Sequence, residues 1–312
     1  MKLANKMTRL AAYQVTPGTT FETRKIQIHD ILLKADRENI DFLCLPEGFL
    51  TGYYADEEIA RKNSLETDGA IFREWLAEIS HYQATIIIGF NEREGNHIYD
   101  SAAVVEKGSL LGVQRKHYLF HNYFTPGSSF SIVWSKGVPF GVIICLDTNY
   151  FEPARLLALQ GAAILFSPMC NRVSLNHPYA KRPSYYSHFV ARSFENRCWL
   201  ATADWICTND GSIVCPGHSV IYDPDGQEIA RSHEGKEDLL IVDIPKDRLL
   251  QDKGRRVHGS PSLFQEISKL AHGYHKENME NQTFKQNAAD WLTHVKEFLP
   301  TPASVLNRAK TL

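Results

Sequence analysis

Cys145 lies between two apolar runs, in the segment VPFGVIICLDTNYFEPARLLALQGAAILFSP that extends from Val138 to Pro168. The run before it predicts a buried strand, and FEPARLLALQGA after it predicts a helix. A thiol held between a strand and a helix can face a cleft and act as a nucleophile. A cysteine in an apolar strand is otherwise a small core residue, and it needs a nearby cation or helix N-terminus to become reactive.

Two other predicted strand ends carry residues that could serve this thiol. Glu47 follows IDFLCLP, and Lys116 ends LLGVQRK. Taken singly, Glu47 could cap the next segment and Lys116 could be a solvated charge. Together with Cys145 they would form an acyl-transfer site, in which the carboxylate takes the thiol proton and the ammonium stabilises an oxyanion. Because reactive groups in α/β proteins gather where strands end, we expect the three to converge.

Residues after the predicted strand AILF and after Lys116 are candidates for contacts with a substrate. Cys170 follows AILFSP and is the main rival nucleophile, but no helix begins soon after it, so we interpret it as a pocket residue. Asn171 and Arg172 could line the same cleft, and an arginine can bind a carboxylate through two parallel hydrogen bonds. Asn122 lies in the aromatic loop HYLFHNYFTPG that follows Lys116. A surface ion pair is the alternative role for Arg172.

The remaining cysteines give no second nucleophile. Cys44 and Cys198 lie in apolar strands and are expected in the core. Cys207 and Cys215 flank the polar turn TNDGSIV, where they could approach each other. A disulfide is not expected there, because a reducing cytoplasm keeps thiols free.

The overall composition is that of an ordinary globular protein. The 312 residues are 43% hydrophobic and 22% charged, with a formal charge of −2, so no nucleic-acid or anionic-membrane partner is indicated. No apolar run is long enough to span a membrane and no secretory signal is recognised at the start, so we expect a cytoplasmic protein. No metal is expected either, because His117 with His121 and His272 with His275 lack further ligands.

Strand and helix patterns alternate along most of the chain. They include a strand at TRLAAYQV, a helix over residues 20–39 and a hairpin turning at Lys107 and Gly108. This order predicts one α/β domain with stacked sheets over residues 7–262. Residues 263–312 are more polar and predict a helical tail that docks on its own subunit or contacts a partner subunit.

Five motifs occur in a fixed order between Leu10 and Ile244. They read DFLCLPEGFLTGY, GVQRKHYLF, CLDTNYFEPARLLALQGA, ARSFENRCWLATA and GHSVIYDPDGQEIA. In this order they resemble the nitrilase superfamily of carbon–nitrogen hydrolases. The resemblance implies an αββα four-layer sandwich, often assembled as a homodimer or larger homo-oligomer, and hydrolysis through a thioester on Cys145 without a cofactor. It also implies that Glu47 is the general base, and that Lys116 and the backbone N–H of Leu146 stabilise the oxyanion.

The chain departs from the family pattern at one point. Many members carry a second glutamate between the lysine and the cysteine, but no acidic residue lies between Lys116 and Cys145 here. We expect an amidase-type hydrolase that cleaves a small linear amide or N-carbamoyl compound, since Leu146 and Asp147 replace the Trp-Glu pair typical of nitrilases. Two alternatives are nitrile hydrolysis at the same site and a catalytically weak member that binds a ligand or partner.

Overall fold

The computed structural model describes residues 7–174, 182–208, 213–251, 263 and 265–270. The chain divides into two compact units, Met1–His258 and Gly259–Leu312. All of the elements named below belong to the first unit. The helical tail predicted over residues 263–312 lies mostly outside the described residues, so its role stays a prediction.

The first sheet joins strands from the N-terminal half of the chain to one strand from near residue 240. Its order is β15-β1-β2-β3-β4-β5. Strand β1 is parallel to β2 and antiparallel to β15, and β3, β4 and β5 form an antiparallel meander. The bounds are β1 Met7–Gln14, β2 Phe42–Cys44, β3 Thr85–Glu94, β4 His97–Glu106, β5 Ser109–Arg115 and β15 Asp238–Pro245.

The second sheet contains the strands on either side of Cys145. Its order is β14-β13-β10-β8-β7-β6, with β7, β8 and β10 parallel. The bounds are β6 Val133–Ser135, β7 Val138–Val142, β8 Ile164–Pro168, β10 Trp199–Ala203, β13 Val220–Tyr222 and β14 Glu228–Arg231. A small third sheet, which the sequence did not predict, joins β9 Val173–Ser174, β11 Ile206–Thr208 and β12 Ile213–Pro216.

Helices cover the outer face of each large sheet. Their bounds are α1 Phe21–Arg37, α2 Glu57–Lys62, α3 Ala70–Glu78, α4 Phe151–Leu159, α5 Arg182–Phe194 and α6 Lys246–Gln251. Helices α1 and α3 pack on the first sheet through side chains such as Leu32 and Trp75, and α4 and α5 pack on the second through Leu157 and Phe189. The short helix α2 was not predicted from the sequence.

The two large sheets pack face to face through a central apolar core. Phe42 from the first sheet meets Phe140 and Phe166 from the second, with the rings of Phe42 and Phe140 centred 5.5 Å apart. Successive side chains of a strand point to opposite faces, so Leu43 packs against the helices instead. Because both faces are covered, central strands such as β2 and β7 are apolar. The layers are therefore helix, sheet, sheet, helix, and the expected αββα sandwich is confirmed.

Candidate functional site

A cavity of about 230 Å³ opens where strands of both large sheets end. Lys116 lies at its first-sheet side and Cys145 at its second-sheet side, so the two residues that the sequence singled out meet there. The cavity is lined by Tyr53, Lys116, Phe120, Cys145, Leu146, Asn149, Met169, Cys170, Asn171 and Arg172. This lining combines an apolar wall with two thiols and two cations, and an apolar wall with a few polar groups is typical of a small-molecule pocket.

Glu47 lies in the tight turn that follows β2, and its side chain is fully buried. The turn rests directly on β3, where Gly89 donates its N–H to the Pro46 carbonyl at 3.1 Å. A Cβ atom at Gly89 would lie 2.5 Å from the Cα of Glu47, so only glycine permits this approach. The indole of Trp205 donates to the Glu47 carbonyl at 2.7 Å. The backbone of Glu47 is thus held from both sides.

Lys116 comes directly after β5 and is the most buried cation of the cavity, with 1% of its side chain exposed. Its ammonium donates to Oε1 of Glu47 and, at 3.0 Å, to Oδ2 of Asp100 on β4. Burial lowers the pKa of Lys116, but the carboxylates of Asp100 and Glu47 outweigh burial, and the pKa lies well above its ordinary value. The lysine is therefore a protonated, fixed positive charge.

Cys145 begins a turn of 3-10 helix, Cys145–Asn149, between β7 and α4. Its φ of 42° is left-handed, a strained value for a residue with a side chain. The turn is held by Asp147, whose carboxylate accepts from the backbone N–H groups of Ile144 at 3.2 Å and Tyr118 at 2.8 Å. Asp147 also accepts from the N–H of His117 at 3.1 Å, so it ties the residues after Lys116 to the Cys145 turn.

A cation from α5 fixes the far side of the Cys145 turn. Arg192 is buried, and its Nε donates to the Thr148 carbonyl at 3.0 Å. The Thr148 hydroxyl in turn donates to the Cys145 carbonyl at 2.7 Å. Through these two hydrogen bonds, Arg192 of the ARSFENR segment holds the turn that carries Cys145.

The electrostatics of the thiol differ from the sequence expectation. Burial raises the pKa of Cys145 well above its ordinary value, Glu47 raises it further, and Lys116 opposes only part of this. Helix α4 begins at Phe151, six residues beyond the thiol and about where the sequence predicted it, so the help that its N-terminus could give the thiol stays a prediction. Burial likewise raises the pKa of Glu47, against the pull of Lys116. The arrangement therefore favours a neutral thiol next to a carboxylate that is a better base than usual.

The predicted ligand contacts separate into two groups. Leu146, Cys170, Asn171 and Arg172 line the cavity, whereas Asn122 is exposed and is not among the lining residues. The amide of Asn171 donates to Oδ2 of Asp204 at 2.9 Å, and its backbone N–H donates to Oδ1 at 3.0 Å. Asn171 is thus committed to a buried partner.

Asp100 is the functional candidate that sequence reasoning missed. It is buried within β4, outside the five motifs and 16 residues before Lys116, and its side chain contacts Lys116. The only available signal was an aspartate in the otherwise apolar strand IYDSAAVV. Tyr53 and Met169, which also line the cavity, were likewise not singled out.

The structure corrects the expectation that all cysteines are free. Cys207 on β11 and Cys215 on β12 are directly opposite in the antiparallel pair, with Cα atoms 4.7 Å apart, and form a disulfide. Cys44, Cys145, Cys170 and Cys198 are free. The cross-strand register, which the sequence did not reveal, brings the two sulfurs together.

The described part of the chain shows neither a metal site nor a membrane-spanning helix. Among those residues, no group of three or more His, Cys, Asp or Glu side chains is placed to hold a metal ion. None of the helices resolved there combines the length and apolar character needed to cross a membrane.

Known proteins resemble this chain in sequence and in fold. The carbon–nitrogen hydrolase family profile matches residues 9–253. A Pseudomonas protegens protein named "Hydrolase in pqqF 5'region" is 31% identical over 85% of this chain and 93% of its own length. The 2-oxoglutaramate amidase of Bacillus subtilis is 26% identical over 70% of this chain and 83% of its own.

A solved structure shares the fold of this chain. The crystal structure of an amidase from a Nesterenkonia species has a TM-score of 0.68 and 24% identity, and the match covers 80% of this chain and 94% of that one. The αββα sandwich and the family profile together define a carbon–nitrogen hydrolase. The chain belongs to the carbon–nitrogen hydrolase family of the nitrilase superfamily.

Proposed function

We propose that this protein is a cysteine-dependent amidase that hydrolyses a small linear amide or N-carbamoyl compound through a thioester on Cys145. The contact that carries the proposal is the buried ion pair between Lys116 and Glu47 at the cavity that Cys145 lines. Burying a lysine and a carboxylate costs free energy even when the two are paired, so a buried pair at a cavity points to a functional task. Positioning an ammonium beside a thiol is such a task, because acyl transfer develops negative charge there.

The reaction begins with attack of the Cys145 sulfur on the amide carbon, while the thiol proton passes to Glu47. The ammonium of Lys116 and the backbone N–H of Leu146 stabilise the negative oxygen of the tetrahedral intermediate. When the intermediate collapses, the carbon–nitrogen bond breaks and Glu47 returns the proton to the leaving nitrogen, which departs as ammonia or an amine. The acyl group remains on sulfur as a thioester.

Water then releases the acyl group. Glu47 takes a proton from the attacking water, the second tetrahedral intermediate is stabilised at the same two donors, and the carbon–sulfur bond breaks. The proton returns to the sulfur, and the carboxylic acid, or carbamic acid from a carbamoyl substrate, leaves. The raised pKa of Glu47 suits it to hold a proton between these steps.

Cys170, Asn171 and Arg172 form the proposed substrate wall. Arg172 lines the same cavity as the thiol, and its guanidinium could hold a carboxylate at the far end of a substrate. This supports including acids among the substrates tested, and the 2-oxoglutaramate amidase among the relatives acts on one such amide by its name. The role of Asn122 stays a prediction of the sequence, since it is exposed.

The test is a panel of aliphatic amides, ω-amides of dicarboxylic acids and N-carbamoyl amino acids, each beside its matched nitrile where one exists, with ammonia release measured. We expect amides or carbamoyl compounds to react and nitriles not to. Cys145→Ala should lower turnover on the order of 10⁴-fold or more. Intact-mass analysis of wild type during turnover should show the mass of an acyl adduct.

Cys170→Ala is the matched control, because it removes a second thiol from the same cavity. Because Cys170 belongs to the proposed substrate wall, this variant should keep its kcat and change at most its KM, and iodoacetamide should still label Cys145. Full activity in Cys145→Ala would exclude the thioester mechanism. Turnover of nitriles in place of amides would select nitrile hydrolysis, and a wild type that hydrolyses nothing in the panel while binding its amides would select a binding protein.

We further propose that the protein forms a homodimer or larger homo-oligomer through α4 and α5. Large apolar side chains are exposed on and beside these helices, namely Tyr150, Phe151, Leu156, Leu159 and Phe194. Such a patch on a globular protein marks an interaction surface. Leu156→Glu should reduce the mass measured by light scattering. Ile26→Glu, at an even more exposed site on α1, should leave that mass unchanged.

A further inference from the structure

The cluster at Lys116 contains one ammonium and two carboxylates, all nearly inaccessible to solvent. Lys116, Glu47 and Asp100 have side chains that are 1%, 0% and 1% exposed. The ammonium donates to both carboxylates. In the part of the chain that the structure describes, Oε2 of Glu47 and Oδ1 of Asp100 have no hydrogen-bond partner. The proposed reaction uses Glu47, Lys116 and Cys145, and leaves Asp100 without a role.

Asp100 is placed against Lys116 by the pairing of β4 with β5. Ser101 lies opposite Arg115, and the backbone N–H of Lys116 donates to the Asp100 carbonyl at 2.8 Å. Residues opposite each other in an antiparallel pair point to the same face, where opposite charges attract. The contact between the two side chains is therefore built into the sheet and does not depend on a mobile loop.

The charge of Glu47 changes during the proposed reaction, whereas that of Asp100 does not need to. When Glu47 takes the thiol proton it becomes neutral, and it no longer balances the charge of Lys116. A buried ammonium without a counter-ion tends to lose its proton. This would happen at the moment when the ammonium has to stabilise the oxyanion. A second carboxylate 3.0 Å from Nζ prevents that loss.

We propose that Asp100 is a positioning residue that keeps Lys116 charged and in place while Glu47 holds the proton. Because no acidic residue lies between Lys116 and Cys145, Asp100 is the second carboxylate of this site, and it is supplied from the neighbouring strand. The inference rests on the proposed function, since it assigns Asp100 a task in that reaction.

The proposal gives the pH profile of turnover a specific dependence on Asp100. Its charge raises the pKa of Lys116, and it also raises that of Glu47, where burial is the larger cause. Removing the charge should therefore move both limbs of the profile to lower pH. Other ionisable groups also act electrostatically on the cluster or on Cys145, and all of them remain in the Asp100 variants: Tyr53, His121, Tyr123, Cys170, Arg172 and Asp204. Loss of the Asp100 charge also lowers the pKa values of Tyr53, His121 and Tyr123.

The experiment compares Asp100→Asn with wild type on the amide from the panel that wild type hydrolyses fastest. Asparagine retains the shape and one acceptor oxygen but lacks the charge. We expect kcat to fall by about 10²-fold, the size of effect seen when an oxyanion donor is impaired. KM should change little, and the pH optimum should move to lower pH. Asp100→Glu restores the charge and should recover part of kcat and the wild-type position of the profile.

Glu92→Gln is the matched control. Glu92 is a buried carboxylate on β3 that pairs with Arg115 at 2.6 Å, so its loss also removes an ion pair from the first sheet. This variant should lose stability in thermal unfolding while its pH profile stays in place. If Asp100→Asn only lowers the melting temperature and leaves kcat and the profile unchanged, Asp100 is structural and the proposal is overturned.

The same assay separates this proposal from the proposed function. Cys145→Ala is measured in parallel. An inactive Cys145→Ala with an Asp100→Asn that behaves like wild type would refute the role of Asp100 alone. An active Cys145→Ala, or a wild type that hydrolyses no amide, would refute the proposed function and the role of Asp100 with it.

Discussion

Gly89→Ala tests whether the position of Glu47 depends on its close contact with β3. The new methyl group would lie 2.3 Å from the backbone nitrogen of Gly48 and 2.5 Å from the Cα of Glu47. Ordinary van der Waals contact begins at 3.4 Å, so the turn that carries Glu47 has to move by about 1 Å. The neighbours that it meets are backbone atoms, which cannot rotate away.

The size of the effect follows from that displacement. A misplacement of about 1 Å in a reacting group costs about 10²-fold in rate, or about 2.7 kcal/mol of transition-state stabilisation. Overpacking itself should lower the free energy of unfolding by about 1–3 kcal/mol. We therefore expect a folded enzyme with kcat/KM reduced about 10²-fold and a lowered melting temperature, measured by ammonia release and thermal unfolding.

Gly112→Ala is the matched control in the same sheet. A methyl group there would meet only Cγ2 of Val133, at 3.2 Å, and that side chain can shift by a few tenths of an ångström. This variant should keep kcat/KM near the wild-type value. If Gly89→Ala also has wild-type kcat/KM, then the turn does not need to rest on β3 for Glu47 to act, and the reasoning is refuted.

Three further predictions concern stability and bonding. Burial raises the pKa of Asp147 from its ordinary 3.8 to about 6, so the folded state binds the carboxyl proton more tightly than the unfolded state does. Loss of that proton therefore destabilises the fold as pH rises from about 4 to 6. Relative to Asp147→Asn, wild type should lose at most about 3 kcal/mol of unfolding free energy across that range. Alkylation of the denatured, unreduced protein should modify four thiols, because Cys207 and Cys215 are bonded to each other. After reduction it should modify all six. Six modified thiols without reductant would exclude the disulfide. Trp205→Phe removes the 2.7 Å bond to the Glu47 carbonyl and should cost about 1 kcal/mol in chemical denaturation, and an unchanged midpoint would mean that this bond contributes nothing.

The fold was predictable from local patterns because each element carries its own signal. The helix around Leu32 shows the 3.6-residue period, and the Lys107–Gly108 turn of the β4–β5 hairpin has the left-handed φ values, 49° and 72°, that a two-residue turn requires. The third sheet has a weaker signal in the sequence, because β9 has only two residues and β11 only three. Such short strands are defined by their partners and not by a periodic pattern.

The site was predictable only in part. Glu47, Lys116 and Cys145 stand at strand ends in motifs that resemble a known family, so their types and order were enough to single them out. Their protonation could not be predicted in the same way. The pKa of the Cys145 thiol depends on burial and on the distance to Glu47, and neither quantity is local in the sequence.

The sequence by itself determined that Lys116 follows the second strand of a hairpin, and only the tertiary structure decided which residue lies beside it. In the β4–β5 hairpin Glu106 lies opposite Ser109. If this register continued without a shift, Tyr99 would lie opposite Lys116. The register shifts by one residue between Val104 and Val105, because Leu111 is an extra residue in β5, and Asp100 takes that position. A shift of one residue exchanges the two faces of a strand, so this bulge gives Lys116 a carboxylate for a neighbour.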